Sequence, residues 1–160
     1  MTSQTELVKV TFPLETGAWH GYATERLWAT KLVGNRYLLH NSPFYAMGVS
    51  LEDVVAAELD HEGQLVFRGV LQRGGHSTYR IIPAAPTDGK AFQEHWASIE
   101  ALGCRYEGVR GKLLSIDVPP SANVHEVYRL LQVAEDSGVW GFEEAHCGHP
   151  LRETSDSTES

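Results

Sequence analysis

Apolar and polar residues alternate with period two over much of the first half of the chain. Val8, Val10, Phe12 and Leu14 alternate with Lys9 and Thr11, which predicts a half-buried strand over Leu7 to Leu14 that ends near Pro13. Two glycines mark 16–22 as a loop. Thr24 to Val33 and Asn35 to His40 read as the next two strands, with Gly34-Asn35 as a hairpin turn between them. Ser42 to Met47, with Pro43, Phe44 and Tyr45, reads as an aromatic turn or short edge strand. Ser50 to Asp53 reads as one helical turn capped by Ser50, with Asp53 reaching back. Val54 to Leu59 and Gln64 to Gln72 pair across a turn at His61-Glu62-Gly63. Several short strands with tight connections predict a small barrel or curled sheet.

After a hinge at 73–76 the period changes to that of helices between strands. Thr78 to Ile82 is a strand. The helix that follows starts at Asp88 and carries Phe92, Trp96, Ile99 and Leu102 on one face, and Gly103 stops it. Two strands follow, Cys104 to Val109 and Lys112 to Val118, joined at Arg110-Gly111. In the second of these, Leu114, Ile116 and Val118 face one way and Ser115 and Asp117 the other. Asn123 caps a second helix, with Glu126 at the capping-box position and Val127, Leu130, Leu131 and Ala134 as its buried stripe. Val139 to Ala145 is the last strand. The order β-α-β-β-α-β predicts a ferredoxin-like split βαβ. The fold class is thus α+β: a β-rich, small-barrel-like unit over 7–75, then a ferredoxin-like βαββαβ unit over 76–147. Residues 1–6 and an acidic, Ser/Thr-rich tail over 148–160 are expected to be disordered.

Composition narrows the function more than the fold. The chain has 160 residues, 42% hydrophobic and 21% charged, which is enough for a core without metal or disulfide staples. Two cysteines, no basic leader and no long apolar run make a cytoplasmic protein without a membrane span the expectation. The net charge of −8 disfavours a nucleic-acid backbone as partner and favours a basic protein.

Three segments carry a family likeness: Asn41-Ser42-Pro43-Phe44-Tyr45, then Gly48 through Val55 (GVSLEDVV), then Arg73 through Arg80 (RGGHSTYR). With Leu27-Trp28-Ala29 and Leu102-Gly103-Cys104, they resemble the bacterial family catalogued as domain of unknown function 4265. The resemblance covers roughly residues 7 to 146. It implies a shared fold and a bacterial origin, and brings no catalytic residues.

Each cluster of candidate chemistry has a plainer reading beside it. His76 and Ser77 follow a glycine pair and suggest a base and a nucleophile or ligand donor. No acid stands at a spacing that would complete a triad, and a capped turn at a strand start is the weightier reading. His146, Cys147 and His149, with Cys104, are donors of the type zinc takes, but they lack paired spacing and read more simply as incidental. The aromatics at 44–45, with Trp28 and Phe67, suit either a stacking surface or a barrel plug. Glu52, Asp53, Glu58, Asp60 and Glu62 read as a solvated face with Asp53 as a cap. Arg80, Arg105, Arg110 and Lys112 lie on the second sheet, and Tyr79 and Tyr106 could stack bases, but Lys112 to Val118 holds no aromatic of the RNA-recognition type.

The leading expectation is a non-enzymatic, protein-binding module. In its sharper form this is an immunity-type or regulatory protein that blocks a basic partner such as a nuclease toxin, with Glu135, Asp136, Glu143 and Glu144 as the docking face. The second expectation is a small-molecule binder or enzyme at the junction of the two halves, using Asn41, Tyr45, His76, Ser77 and Arg80. Neither calls for a cofactor or a metal.

Overall fold

A computed structural model describes residues 6–84, 89–109 and 112–150. The proposed cap Asp88, the turn at Arg110-Gly111, the start 1–5 and the tail 151–160 lie outside the described residues.

Strands β1 (Leu7–Pro13), β2 (Thr24–Lys31), β3 (Tyr37–Leu39), β4 (Val54–Leu59) and β5 (Leu65–Gln72) form a closed barrel. Successive strands are antiparallel, and a parallel pairing of Val10 with Leu65 and Thr11 with Val66 closes the ring. Closure needs curvature. Register shifts in the β4–β5 ladder at Val54/Val55 and Ala56/Ala57 supply it. The inward set is the alternating one: Val10, Phe12, Leu27, Ala29, Leu39, Val55 and Ala57 are buried, and Phe67 stacks on Phe12 at 4.6 Å between ring centres.

Strands β6 (Ser77–Pro83), β7 (Arg105–Val109), β8 (Leu113–Val118) and β9 (Trp140–His146) form a second, antiparallel sheet in the order β7-β8-β6-β9. Helices α1 (Gly89–Glu100) and α2 (Val124–Asp136) supply Trp96, Ile99, Val127, Leu131 and Ala134 to one core with Tyr79, Ile81, Leu114, Ile116 and Trp140 of that sheet. Asn123 caps α2 as its sequence predicts, its Oδ1 accepting from His125 N and Glu126 N. The reciprocal half of a capping box is missing. Glu126 turns outward and accepts from Arg129, which also places its carboxyl below the usual value.

Two local expectations change. Ser50 to Asp53 is a tight turn: Asp53 N donates to Ser50 O, and Glu52 takes φ +70°, which a helix does not allow. Of the two readings of Ser42 to Met47, the aromatic turn stands and the edge strand does not. Glu25 on β2 holds it as a loop, its carboxylate accepting from Phe44 N (2.6 Å), Tyr45 N (2.9 Å) and Ala46 N (2.8 Å).

Candidate functional site

The connection between β3 and β4, residues 40–53, lies on the sheet face that the helices leave open. Alternation along β6 and β8 sends Tyr79, Ile81, Leu114 and Ile116 to the helices, and Thr78, Arg80, Ser115 and Asp117 toward the barrel. Each of the latter four finds a polar partner. Thr78 Oγ1 is 2.6 Å from Ser50 Oγ, and Ser115 Oγ donates to Pro43 O at 2.7 Å. Arg80 donates to Ala46 O, and its Nη1 lies 3.3 Å from both Glu143 Oε2 and Met47 Sδ. Asp117 meets His76 at 2.7 Å. Gly48 N donates to Ala145 O on β9.

Asp53 organises the turn beneath this contact. Its side chain is 1% exposed. Its carboxylate accepts from Ser50 N (3.0 Å), Gly74 N (2.9 Å) and Arg73 Nη1 (3.0 Å), and that same nitrogen also donates to Gly48 O. Gly74 must be glycine here, because a Cβ would stand 2.5 Å from Glu52 O. The sequence's solvated acidic face therefore loses Asp53, which is buried.

His76 is buried between two carboxylates, Asp117 at 2.7 Å from Nδ1 and Glu52 at 3.4 Å from Nε2. Burial pushes the Asp117 carboxyl above its ordinary value, and the hydrogen bond and charge of His76 oppose that rise. Asp117 also lines a cleft of about 300 Å³ with Ser42, Arg105, Glu107 and Ser115. Ser77 makes a separate pair. Its Oγ is 2.6 Å from His149 Nδ1 and accepts from Gly148 N. Pro119 O, 2.9 Å from His149 Nε2, can only accept, so Nε2 carries a proton. This is a base–hydroxyl geometry, but Ser77 is fully buried and no substrate reaches its oxygen. The same bonds tie Gly148 and His149 to the fold, where the sequence predicts a loose tail from 148.

At one end of the junction the surface differs. The loop between β1 and β2 carries Trp19, His20 and Tyr22 over Tyr45. His20 and Tyr22 lie 4.6 and 4.8 Å from Tyr45 between ring centres, and Trp19 lies at 6.1 Å. Trp19 is 61% exposed and Tyr22 55%. These rings wall two clefts. One, of about 620 Å³, continues over Ile82, Lys112 and Leu113. The other, of about 320 Å³, runs past Pro13, Leu14 and Met47 to Glu15, Arg80 and Glu143. Burial, followed by its contact with Tyr22, raises the Tyr45 hydroxyl above its ordinary pKa, so its ring stays neutral.

The five residues expected at the junction therefore separate. Tyr45 and Arg80 share the smaller cleft. His76 and Ser77 are buried in their own bonds, and Asn41 Oδ1 accepts from Trp28 N on the barrel. The four expected docking acids also carry internal contacts. Glu143 pairs with Arg80, Glu144 accepts from Tyr79, and Glu135 and Asp136 accept from Gln132. The zinc-type donors do not converge. Cys104 is buried and its thiol is pushed up to about 12, His146 faces Arg73, and both His149 nitrogens are engaged. No group of three metal-type side chains forms among the described residues. Tyr79 is buried beneath the helices, and Tyr106, 39% exposed, packs edge-on to Trp96. No helix among the described residues is long and apolar enough to cross a membrane.

Sequence reasoning missed Glu15, Trp19, His20, Tyr22 and Glu25. The available signal was a glycine-bearing loop with three rings in four residues, since surface loops with aromatics mark recognition sites. The family comparison then settles the likeness raised above. The model of the family described as "Domain of unknown function (DUF4265)" matches residues 25–142. The chain belongs to that family. A solved structure described as "Novel crystal structure of a hypothetical protein from Neisseria gonorrhoeae" is similar to it. At 20% identity it covers 92% of this chain and 99% of that one with a TM-score of 0.73, a likeness of fold. No curated protein matches. The family span begins after the loop of Trp19 and Tyr22 and holds the 40–53 connection with Thr78, Arg80, Ser115 and Asp117, while Glu143 and Ala145 lie just past its end.

Proposed function

We propose that this protein is a non-catalytic binding module for a basic protein, and that its recognition surface is the aromatic cleft. The observation that carries this reading is the exposure of Trp19 and Tyr22 over Tyr45, beside Glu15 and Glu143, in a chain of net charge −8. Aromatic anchors in a partly preformed cleft are what binding hot spots are made of, and the negative field raises the encounter rate with a cation-rich partner. The residues that resemble a catalytic set argue the same way, because their hydrogen bonds are used inside the molecule. An immunity-type or regulatory role follows from this: a small acidic protein occluding a basic partner, such as a nuclease toxin.

The underlying fold reading is a ferredoxin-like second unit joined to the barrel. The strand order β7-β8-β6-β9, with both helices on one face, supports it. The proposed boundary lies near Gly75, where the chain leaves β5 at φ +92° and enters β6.

The test is a pulldown from the native host. Wild-type protein should recover a basic protein at low salt, release it as salt is raised, and lose it with Trp19→Ala. Recovery of nothing at low salt, or equal recovery by Trp19→Ala, sinks the proposal.

A further inference from the structure

We propose that the cleft of about 320 Å³ between the 14–23 loop and β6 is a cage for one arginine side chain of the partner, its guanidinium stacked on Trp19 and Tyr45 and facing Glu15 and Glu143. This deepens the basic-partner reading and rests on it. Three features select a cation over other occupants.

The rings come first. Trp19 and Tyr45 stand 59° apart with centres 6.1 Å apart, so they form two walls rather than a closed stack. Ring faces carry the negative end of the aromatic quadrupole, and a guanidinium can both stack on one face and point toward the next.

Charge comes second. The cleft holds two carboxylates, Glu15 and Glu143, and one guanidinium, Arg80. Arg80 is 2% exposed and already bonded to Ala46 O and Glu143, so its charge is met within the fold. With the His20 ring of the same wall neutral, two minus one leaves one net negative charge at the mouth, which a cation would complement and an anion would oppose. Lys112, the cation that would welcome an anion, lines the other cleft.

The remaining walls come third. Pro13, Leu14 and Met47 offer apolar surface for an aliphatic stem beside the rings, and arginine has such a stem behind its charged head. A neutral apolar group would leave Glu15 without a counter-charge.

Titration of N-acetyl-arginine amide against its neutral isostere N-acetyl-citrulline amide tests this directly. The readout is tryptophan fluorescence in a Trp28→Phe background, where Trp19 is the exposed indole because Trp96 and Trp140 are buried. Exposed cation–π contacts contribute about 0.5–1 kcal/mol each, so two of them predict about a fivefold to thirtyfold preference for arginine. Glu15→Gln should weaken arginine several-fold and leave citrulline unchanged. Trp19→Ala removes the reporting indole, so its binding is read by isothermal titration calorimetry; it should abolish the preference without changing the unfolding midpoint, since the ring is mostly solvent-exposed. Equal binding of the two probes, binding of neither, or an arginine preference that survives Trp19→Ala overturns the cage. Arginine selectivity in a protein that captures no basic partner would uphold the cage and overturn the partner reading. Capture without arginine selectivity would do the reverse.

Discussion

Replacing Asp53 with alanine should destabilise the fold more than any other single change at the junction. The carboxylate is buried and accepts from Ser50 N, Gly74 N and Arg73 Nη1. Alanine leaves the buried Ser50 N–H and the part-buried Gly74 N–H without partners, at about 1–3 kcal/mol each. Arg73 loses less, because it keeps Gly48 O and is half exposed. The expected loss is therefore about 3–5 kcal/mol, a large share of the roughly 5–15 kcal/mol that holds a domain folded. In urea, with a slope of about 2 kcal/mol/M for a chain of this size, the midpoint should fall by about 2 M. Asp53→Asn keeps one acceptor oxygen and should lose about half as much. Ser115→Ala removes a single buried bond to Pro43 O and calibrates the scale at about 1 kcal/mol. Because the turn seats the barrel on the sheet, Asp53→Ala should also split one cooperative transition into two, read by the far-ultraviolet signal and by the buried tryptophans Trp96 and Trp140 of the sheet unit. A midpoint shift worth under about 1 kcal/mol with a single transition would refute the claim that Asp53 holds the junction.

Three further expectations follow from neighbouring groups. Burial raises the Asp117 carboxyl in the folded state, so the folded state holds its proton more tightly than the unfolded one. That contribution is present below the ordinary carboxylate pKa and is lost as pH rises through the raised value; unfolding midpoints across pH 3–7 should show the fall, and Asp117→Asn should flatten it. Gly74→Ala puts a Cβ 2.5 Å from Glu52 O, at a turn already held at φ +70°, and should cost about 1–3 kcal/mol in urea unfolding. Native protein should give one thiol promptly to a disulfide reagent, from Cys147, and the second only on unfolding, because Cys104 is buried with its thiol pushed up to about 12. Two equally fast thiols would contradict the packing of Cys104.

The elements are legible because each strand or helix obeys its own period. Alternation at Val8, Val10 and Phe12, and the stripe at Val127, Leu131 and Ala134, are local patterns, and the buried faces follow them. The hydrogen bonds of the junction are not local. Glu25 falls in register with the inward Leu27 and Ala29, yet its carboxylate holds a loop about 20 positions away, and Ser50 meets Thr78 across 28. Nothing in the spacing distinguishes such an acid from a solvated one. The same blindness made His76 and Ser77 look like chemistry. A histidine beside a hydroxyl is the same pair of letters whether it faces a substrate or, as here, a carboxylate of the next strand for the one and an imidazole and a backbone amide for the other.

The position of the aromatic cleft follows from how the barrel sits on the sheet. The 40–53 connection covers Thr78, Arg80, Ser115 and Asp117, and each is met by a polar group of the barrel or of the sheet itself. One step further along β6 on the same face is Ile82, which is 47% exposed, and its counterpart on β8 is Leu113. The barrel's cover ends there, and the β1–β2 loop overhangs the gap with Trp19, His20 and Tyr22. A cleft is thus required by the mismatch between a small barrel and a longer sheet, while part of its lining comes from a loop that meets the 40–53 connection at Tyr45. Substitutions in residues 14–23 should therefore change what binds while leaving the urea midpoint in place, and substitutions at Ser50, Asp53 or Gly74 should do the opposite. A set of loop variants that lowered stability and binding together would show that cleft and junction are one structure, and would remove the reason for placing recognition at Trp19 rather than at His76.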